Sequence, residues 1–167
     1  VYYIMNSLNQ RLSYLESTSP GGGTEAVPKT LFKITSNLSA NQIFTQGTVA
    51  KFNNLVFCYP SPAAFNTSTY TYTVPQSGIY QFTYKLYPNY PGTNNTDINA
   101  RIAFNINGVY VSISGSVLGN IETMTTLEVC SAGDTVRVEC AFANQGSLTL
   151  YMSPNYSWFT GILISAM

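Results

Sequence analysis

The stretch from Tyr72 to Tyr84, YTVPQSGIYQFTY, combines a turn with the start of a strongly alternating strand. Its Pro75-Gln76-Ser77-Gly78 segment has the residue types of a tight turn. The strand that follows carries apolar side chains at every second position with polar ones between them: Tyr80, Phe82, Tyr84 and Leu86 alternate with Gln81, Thr83 and Lys85. Because successive side chains of a strand point to opposite faces, the aromatic side is predicted to lie in the core of a sheet protein.

Short β-rich runs extend from this stretch in both directions, and turn pairs such as Asn107-Gly108 and Gly133-Asp134 separate them. The predicted strands include Leu31–Asn37, Thr48–Phe52, Asp97–Asn105, Glu122–Cys130, Thr135–Phe142 and Trp158–Ser165. About ten such strands predict an all-β fold, a two-sheet jelly-roll sandwich, over residues 31–167.

The first sixteen residues have a different spacing of apolar positions, which is typical of a left-handed coiled coil. Their apolar positions are separated alternately by four and three residues: Val1, Met5, Leu8, Leu12 and Leu15. We therefore predict the end of a coiled-coil stalk at 1–16, a Gly/Pro-rich neck linker at 17–30 and a globular head at 31–167. The alternative is a helix that packs on its own domain. Since the chain begins within the heptads, we expect it to be part of a longer protein.

Charged residues make up only 8 % of the chain, with seven basic and seven acidic side chains and no His, whereas a typical soluble domain has about 25 %. Ser, Thr, Asn and Gln supply 58 of the 167 residues. Nucleic-acid binding is not expected without clustered Lys and Arg. A triad or metal site that needs His is impossible within one subunit, and the carboxylates are scattered, so we expect no enzyme activity. No apolar run approaches the roughly 18 residues of a membrane helix, so we expect no membrane insertion.

The three Cys residues, Cys58, Cys130 and Cys140, are predicted to be free thiols. If Leu127 and Val129 mark the apolar face of their strand, Cys130 lies on the opposite face. Cys140 shares the apolar face of its own strand with Val136 and Val138. The thiols of Cys130 and Cys140 are then expected on opposite sides of one sheet, which excludes a bridge between them.

Four segments resemble motifs of the globular heads of complement 1q, which share their jelly roll with tumour necrosis factor. Tyr72–Tyr84 is similar to a stretch in which a Pro-x-x-Gly turn feeds a strand of the form G-x-Y-x-F, and Asn105–Gly108 is similar to an Asn-Gly hairpin. Leu127–Val138 resembles the family's L-x-L-x-x-G-D-x-V-x-V hairpin, and Ser157–Ile164 its closing S-x-F-S-G-F-L-L strand. The four motifs occur in the family's order and cover most of the predicted head.

The resemblance implies a homotrimer in which one face of the inner sheet turns toward the threefold axis. It places Thr83 and Phe159 at a subunit interface, to which the stalk would add Met5, Leu8, Leu12 and Leu15; the alternative is that Phe159 is plain core. Some family members hold calcium through Asp residues near the trimer top. Asp97 is the acidic residue of the corresponding strand here, and one carboxylate per subunit is a poor site unless three copies converge. We therefore expect no cofactor.

The run from Tyr87 to Thr96 is rich in Tyr, Asn and Thr, residue types that suit recognition because they give large contact area and adaptable hydrogen bonds. Its predicted contact residues are Tyr87, Asn89, Tyr90, Thr93, Asn94 and Asn95; the alternative is a solvated connector. Complement heads follow a collagen stalk, whereas heptads stand in that place here. We therefore predict a trimeric fibre head on a virion surface that binds a host-cell receptor or glycan. The alternatives are a secreted, extracellular complement-1q-like protein of an animal and a capsid decoration without a specific ligand.

Overall fold

The computed structural model describes residues 30–37, 41–87, 100–114, 122–143, 148–152 and 155–167. The predicted stalk at 1–16 and all but the last residue of the neck at 17–30 lie outside these ranges, so both stay predictions. The described part contains these strands and one 3-10 turn at Pro62–Ala64: β1 (Leu31–Thr35), β2 (Asn41–Phe44), β3 (Asn54–Tyr59), β4 (Phe65–Asn66), β5 (Thr71–Thr73), β6 (Gly78–Leu86), β7 (Ala100–Ile106), β8 (Val109–Ile113), β9 (Glu122–Cys130), β10 (Thr135–Ala143), β11 (Leu148–Tyr151) and β12 (Trp158–Ala166).

Ten of these strands form two five-stranded antiparallel sheets. The front sheet has the order β3-β1-β12-β6-β9, and the back sheet has the order β4-β5-β10-β7-β8. β11 pairs with β2 in a small separate ribbon. Neighbours in each sheet are mostly distant in sequence, which is typical of a jelly roll rather than a meander. The prediction of an all-β, two-sheet sandwich is confirmed.

Aromatic side chains from both sheets fill the space between them. The apolar side of β6 is fully buried, as its alternation predicted, and its polar side faces outward. Phe32 of the front sheet stacks on Tyr72 of the back sheet with ring centroids 4.1 Å apart. Among the described residues, aromatic rings therefore make much of the contact between the two sheets.

Gly161 of β12 makes this aromatic packing possible. It faces the core between Phe32 and Phe82, which flank it in the sheet. A Cβ atom at this position would collide with the ring of Phe32 and approach the ring of Phe82 to 2.9 Å. The glycine is thus required by space, and any side chain here would force the two rings apart.

The predicted strand Thr48–Phe52 is wrong as a regular element, and β2 was not predicted. The segment does follow β10, since Ala50 N donates to Val138 O and Cys140 N donates to Thr48 O, both at 2.9 Å. However, Phe52 N donates to Ala50 O at 3.0 Å. This tight local turn ends the pairing, because it turns the chain away from the partner strand.

The sidedness predicted for Cys130 is also wrong, although the prediction of free thiols is confirmed. Leu127 and Val129 are 63 % and 69 % exposed, so they mark the outer face of β9, and Cys130 points into the core. Cys140 is buried as predicted, but it lies in the back sheet rather than in the same sheet as Cys130. The prediction that Cys130 lies opposite Leu127 and Val129 was correct, but the core was assigned to the wrong side of β9. The reason is that this edge strand exposes its larger apolar side chains.

Candidate functional site

The outer face of the front sheet is the most unusual surface of the described molecule, and we call it the front face. One row of paired residues crosses all five strands and is mostly apolar: Tyr59, Leu31, Ile162, Gln81 and Leu127. Ile79, Val129 and Ile164 continue the apolar surface at the same end of the sheet. Several large apolar side chains are thus exposed side by side, which a soluble monomer rarely tolerates over such an area.

The next row of the front face is rich in hydroxyl groups. It runs through Phe57, Lys33, Thr160, Thr83 and Thr125. The Oγ1 atoms of Thr83 and Thr125 lie 3.0 Å apart, and Thr160 Oγ1 donates to Thr83 O at 3.3 Å. The hydroxyl groups of these threonines therefore form hydrogen bonds within the sheet, and their methyl groups stay available for contact. Thr83, a predicted interface residue, lies at the centre of this row.

A shallow groove of about 180 Å³ lies between these two rows. Its outward-pointing walls are formed by Leu31, Phe57, Gln81, Thr83, Thr160 and Ile162. The groove offers apolar walls with one amide and two hydroxyl groups, which suits a protein side chain better than a charged ligand.

Phe159 does not belong to this surface, and its predicted place at a subunit interface is corrected. It is fully buried between the sheets, where its ring meets that of Phe32 edge-on at 4.8 Å. Phe159 is paired with Tyr84, which also points inward. Its neighbours Trp158 and Thr160 point outward instead. The parity of β12 therefore gives the core role to Phe159, the alternative that the sequence had left open.

Tyr87 is the one residue of the predicted contact loop that the structure describes. It lies just after β6, and its ring packs against that of Tyr156 at a centroid distance of 5.1 Å. Both rings are partly exposed, so they form a small aromatic platform at one end of the front sheet. The other predicted contact residues, Asn89, Tyr90, Thr93, Asn94 and Asn95, lie outside the described ranges, as do Asp97 and the stalk positions Met5, Leu8, Leu12 and Leu15. These assignments stay predictions.

A buried polar cluster on the outer side of the back sheet was not predicted from the sequence. Glu139 is only 4 % exposed, and its carboxylate accepts hydrogen bonds from Asn105 Nδ2 at 3.0 Å, Tyr110 OH at 2.7 Å and Arg137 Nε at 2.8 Å. Burial and the neighbouring carboxylate raise the pKa of Tyr110 to about 12. A carboxylate with three donors is satisfied within the protein, so the cluster is structural. Alternation in β10 shows only that Arg137 and Glu139 share a side, because the other two partners of Glu139 come from β7 and β8.

The described residues contain no cluster of three or more Cys, Asp or Glu side chains able to hold a metal ion. None of their helical segments has the length and apolar character needed to cross a membrane.

Comparisons with solved structures agree with the sandwich described above. The globular domain of zebrafish complement 1qA is similar over 83 % of this chain and 99 % of that domain, with a TM-score of 0.57 and 17 % identity. Eiger TNF from S. frugiperda is similar over 84 % of this chain and 95 % of that protein, with a TM-score of 0.55 and 12 % identity. Murine APRIL is similar over 81 % of this chain and 99 % of that protein, with a TM-score of 0.53 and 13 % identity. No protein-family model and no curated protein matches the sequence.

At these identities the similarity is one of fold, and the predicted resemblance to a viral fibre head stays a prediction. The described part of this chain has the jelly-roll fold that complement 1q globular domains share with tumour necrosis factor.

Proposed function

We propose that this protein is a non-enzymatic recognition head that assembles as a homotrimer through its front face and binds a receptor or glycan on a cell surface. The observation that carries the proposal is the apolar row of the front face. Ile162 and Leu127 are 44 % and 63 % exposed there, with Tyr59 and Val129 beside them. Covering this surface would remove a large apolar area from water, which stabilises an assembly by roughly 25 cal/mol per Å².

The threefold number comes from the family resemblance, and the front face supplies a surface that such an assembly needs. Three copies of one head also multiply weak contacts, because the second and third contacts form at high effective concentration. The aromatic platform of Tyr87 and Tyr156 lies at the end of the front sheet, next to the predicted contact loop. It is the described surface that best suits a first contact with a receptor.

The finer proposal is that the head belongs to a virus or phage fibre. The heptads of residues 1–16 and the low charge of the whole chain support it, since heptads replace a collagen stalk. A secreted complement-1q-like recognition protein of an animal is the second candidate, since its globular domain shares the jelly-roll fold described here.

Light scattering on the 167-residue chain and binding to candidate host cells or a glycan array test the proposal together. We expect a trimer that binds, and a loss of binding without loss of trimer when residues 88–96 are replaced by a Gly/Ser segment. The matched control replaces the exposed turn Thr67–Thr69, between β4 and β5, in the same way. A monomer would contradict the assembly, and a trimer that binds no cell or glycan would contradict the recognition role.

A further inference from the structure

The two-residue turn between β7 and β8 contains a peptide link with reactive chemistry. Asn107 is followed there by Gly108, and no other Asn of the 167-residue chain precedes a Gly. Asn is a thermally labile residue, and the backbone nitrogen of a following Gly can attack its side-chain amide carbon, because Gly has no Cβ atom to hinder the approach. Both residues are exposed, so water reaches the turn. When the chain is unfolded, Asn107 is therefore the position where we expect spontaneous deamidation.

This deamidation needs water as its only co-reactant. A bond forms between Gly108 N and Asn107 Cγ while the bond from Cγ to Nδ2 breaks, and the amide nitrogen leaves as ammonia with the proton that Gly108 N loses. Water then opens the resulting five-membered imide at either carbonyl. The product is Asp at position 107, or isoaspartate, in which the backbone passes through the former side chain and is one atom longer.

In the folded chain, hydrogen bonds engage both of the groups that would react. The side-chain amide of Asn107 is bonded at both ends, since Nδ2 donates to Asp134 Oδ1 at 2.8 Å and Oδ1 accepts the N–H of Thr135 at 2.9 Å. The attacking nitrogen is engaged as well, because Gly108 N donates to Asn105 Oδ1 at 2.8 Å. Before Cγ and Gly108 N can meet, the side chain must leave its partners and the nitrogen must leave Asn105.

Asn105, the partner of the attacking nitrogen, is itself fixed by the buried polar cluster of the back sheet. It is 4 % exposed, and its Nδ2 atom donates to Glu139 Oε2 at 3.0 Å. An ionised carboxylate only accepts hydrogen bonds, so Glu139 fixes the orientation of the Asn105 amide with Oδ1 toward Gly108. The cluster therefore also positions the acceptor that holds the Gly108 nitrogen.

We propose that Asn107 is a covalent modification site that the folded chain protects and that deamidates when the turn opens. The protection comes from hydrogen bonds rather than burial, since Asn107 and Gly108 are both exposed. The product does not restore the link. Asp at position 107 places a second carboxylate beside that of Asp134, and like charges repel, whereas isoaspartate lengthens a turn that fits two residues of positive φ. Deamidation at Asn107 therefore marks chains in which this turn has opened, whatever the head recognises.

Peptide mapping by mass spectrometry on the full chain at pH 8 measures the rate of deamidation at Asn107. The folded chain should react at least about tenfold more slowly than the same chain unfolded in urea, because only the fraction with an open turn can react. Asp134→Ala should speed the reaction of the folded chain at least about threefold, since it removes the partner of Asn107 Nδ2. Tyr80→Phe is the matched control: it removes a hydrogen bond to Gln76 O, away from the turn, and should leave the rate unchanged.

Two results would overturn the inference. A folded chain that deamidates at Asn107 as fast as the unfolded chain would show that the turn gives no protection. Equal rates in Asp134→Ala and Tyr80→Phe would show that the reaction does not pass through a local opening of the turn. If Asp134→Ala fails to fold, as urea unfolding would show, hydrogen exchange of the Gly108 N–H in the unmodified chain decides: we expect slow exchange, and exchange at the rate of an unfolded chain would contradict the proposal.

Discussion

Asn107 Nδ2 donates a hydrogen bond to Asp134 Oδ1 at 2.8 Å and so joins two turns that lie 27 residues apart in sequence. The Oδ1 atom of Asn107 in turn accepts the backbone N–H of Thr135 at 2.9 Å. Asn107 and Gly108 both have positive φ, as the tight β7–β8 hairpin requires, and Asn is one of the few residues that adopts this conformation readily. The two hairpin motifs that looked independent in the sequence are therefore one structural unit.

This link predicts that Asn107 and Asp134 act as a coupled pair in stability. Asn107→Ala should lower the free energy of unfolding by about 1–2 kcal/mol, since it removes the side-chain bonds and places Ala at positive φ. Asp134→Ala should cost a similar amount, because Asp134 Oδ2 also accepts the N–H of Ser131 at 2.7 Å. The double variant should lose at least about 0.5 kcal/mol less than the sum. Urea unfolding of all four proteins measures the coupling, and strict additivity would show that the two turns are independent.

The fold could be predicted because its decisive features are local. The alternation of β6 and the turn pairs near Gly108 and Gly133 each specify a strand or a hairpin within a few residues. The short strands β2 and β4 have only four and two residues, so their alternation is too brief to read. The position of β2 also depends on a distant partner, β11, whereas β4 pairs with β5, which directly follows it.

The candidate site could be predicted only in part, because the apolar character of a residue does not indicate whether its side chain lies on the core face or the outer face of a sheet. Leu127 and Val129 were predicted to mark the core side of their strand and instead lie on the front face. Phe159 was predicted to lie at a subunit interface and instead lies in the core. Alternation fixes which residues share a side, and pairing with neighbours fixes which side is inside. For β12 the pairing of Phe159 with Tyr84 supplies that second piece of information.

The contrast between Phe159 and Ile162 separates folding from assembly. Phe159→Ala should lower the free energy of unfolding by about 3–5 kcal/mol, since it opens a cavity among the core rings. Ile162→Asp should lower the free energy of unfolding much less than Phe159→Ala does, because the Ile162 side chain is 44 % exposed, and it should prevent assembly by placing a charge on the front face. Urea unfolding and sedimentation of both variants check this. The assignment of the front face would be wrong if Ile162→Asp still assembled.

The Tyr72 and Tyr80 hydroxyls offer a matched pair for the cost of burying a polar group. Tyr80 OH donates to Gln76 O at 2.8 Å, whereas the Tyr72 hydroxyl is buried without a hydrogen-bond partner among the described residues. Tyr80→Phe should therefore cost about 1 kcal/mol, and Tyr72→Phe should be neutral or stabilising, because it removes an unsatisfied group while keeping the ring stacked on Phe32. Thermal and urea unfolding give the comparison. Equal losses in both variants would mean that the Tyr72 hydroxyl is bonded in solution.

Buried acidic protons should make this protein less stable at alkaline pH. Burial, with smaller contributions from Asp134 and Glu128, raises the pKa of the Cys130 thiol from 9.0 to about 11. Burial also raises the pKa of Tyr72 and of Tyr84. Above about pH 9 the unfolded chain therefore loses protons that the native state keeps, so the free energy of unfolding falls as the pH rises toward 11 and is insensitive to these groups below pH 9.

Urea unfolding at pH 8, 9 and 10 measures this dependence, with Cys130→Ala as the comparison. The substitution leaves a small cavity and lowers stability at every pH, so the decrease between pH 9 and pH 10 is the informative quantity rather than the absolute value. That decrease should be smaller in Cys130→Ala than in the unmodified chain, and the remainder reflects the other groups with raised pKa values, which include Cys58, Cys140, Tyr72 and Tyr84. Equal decreases in the two proteins would mean that the thiol ionises as readily in the folded chain as in the unfolded one, and that Cys130 is not enclosed by the two sheets.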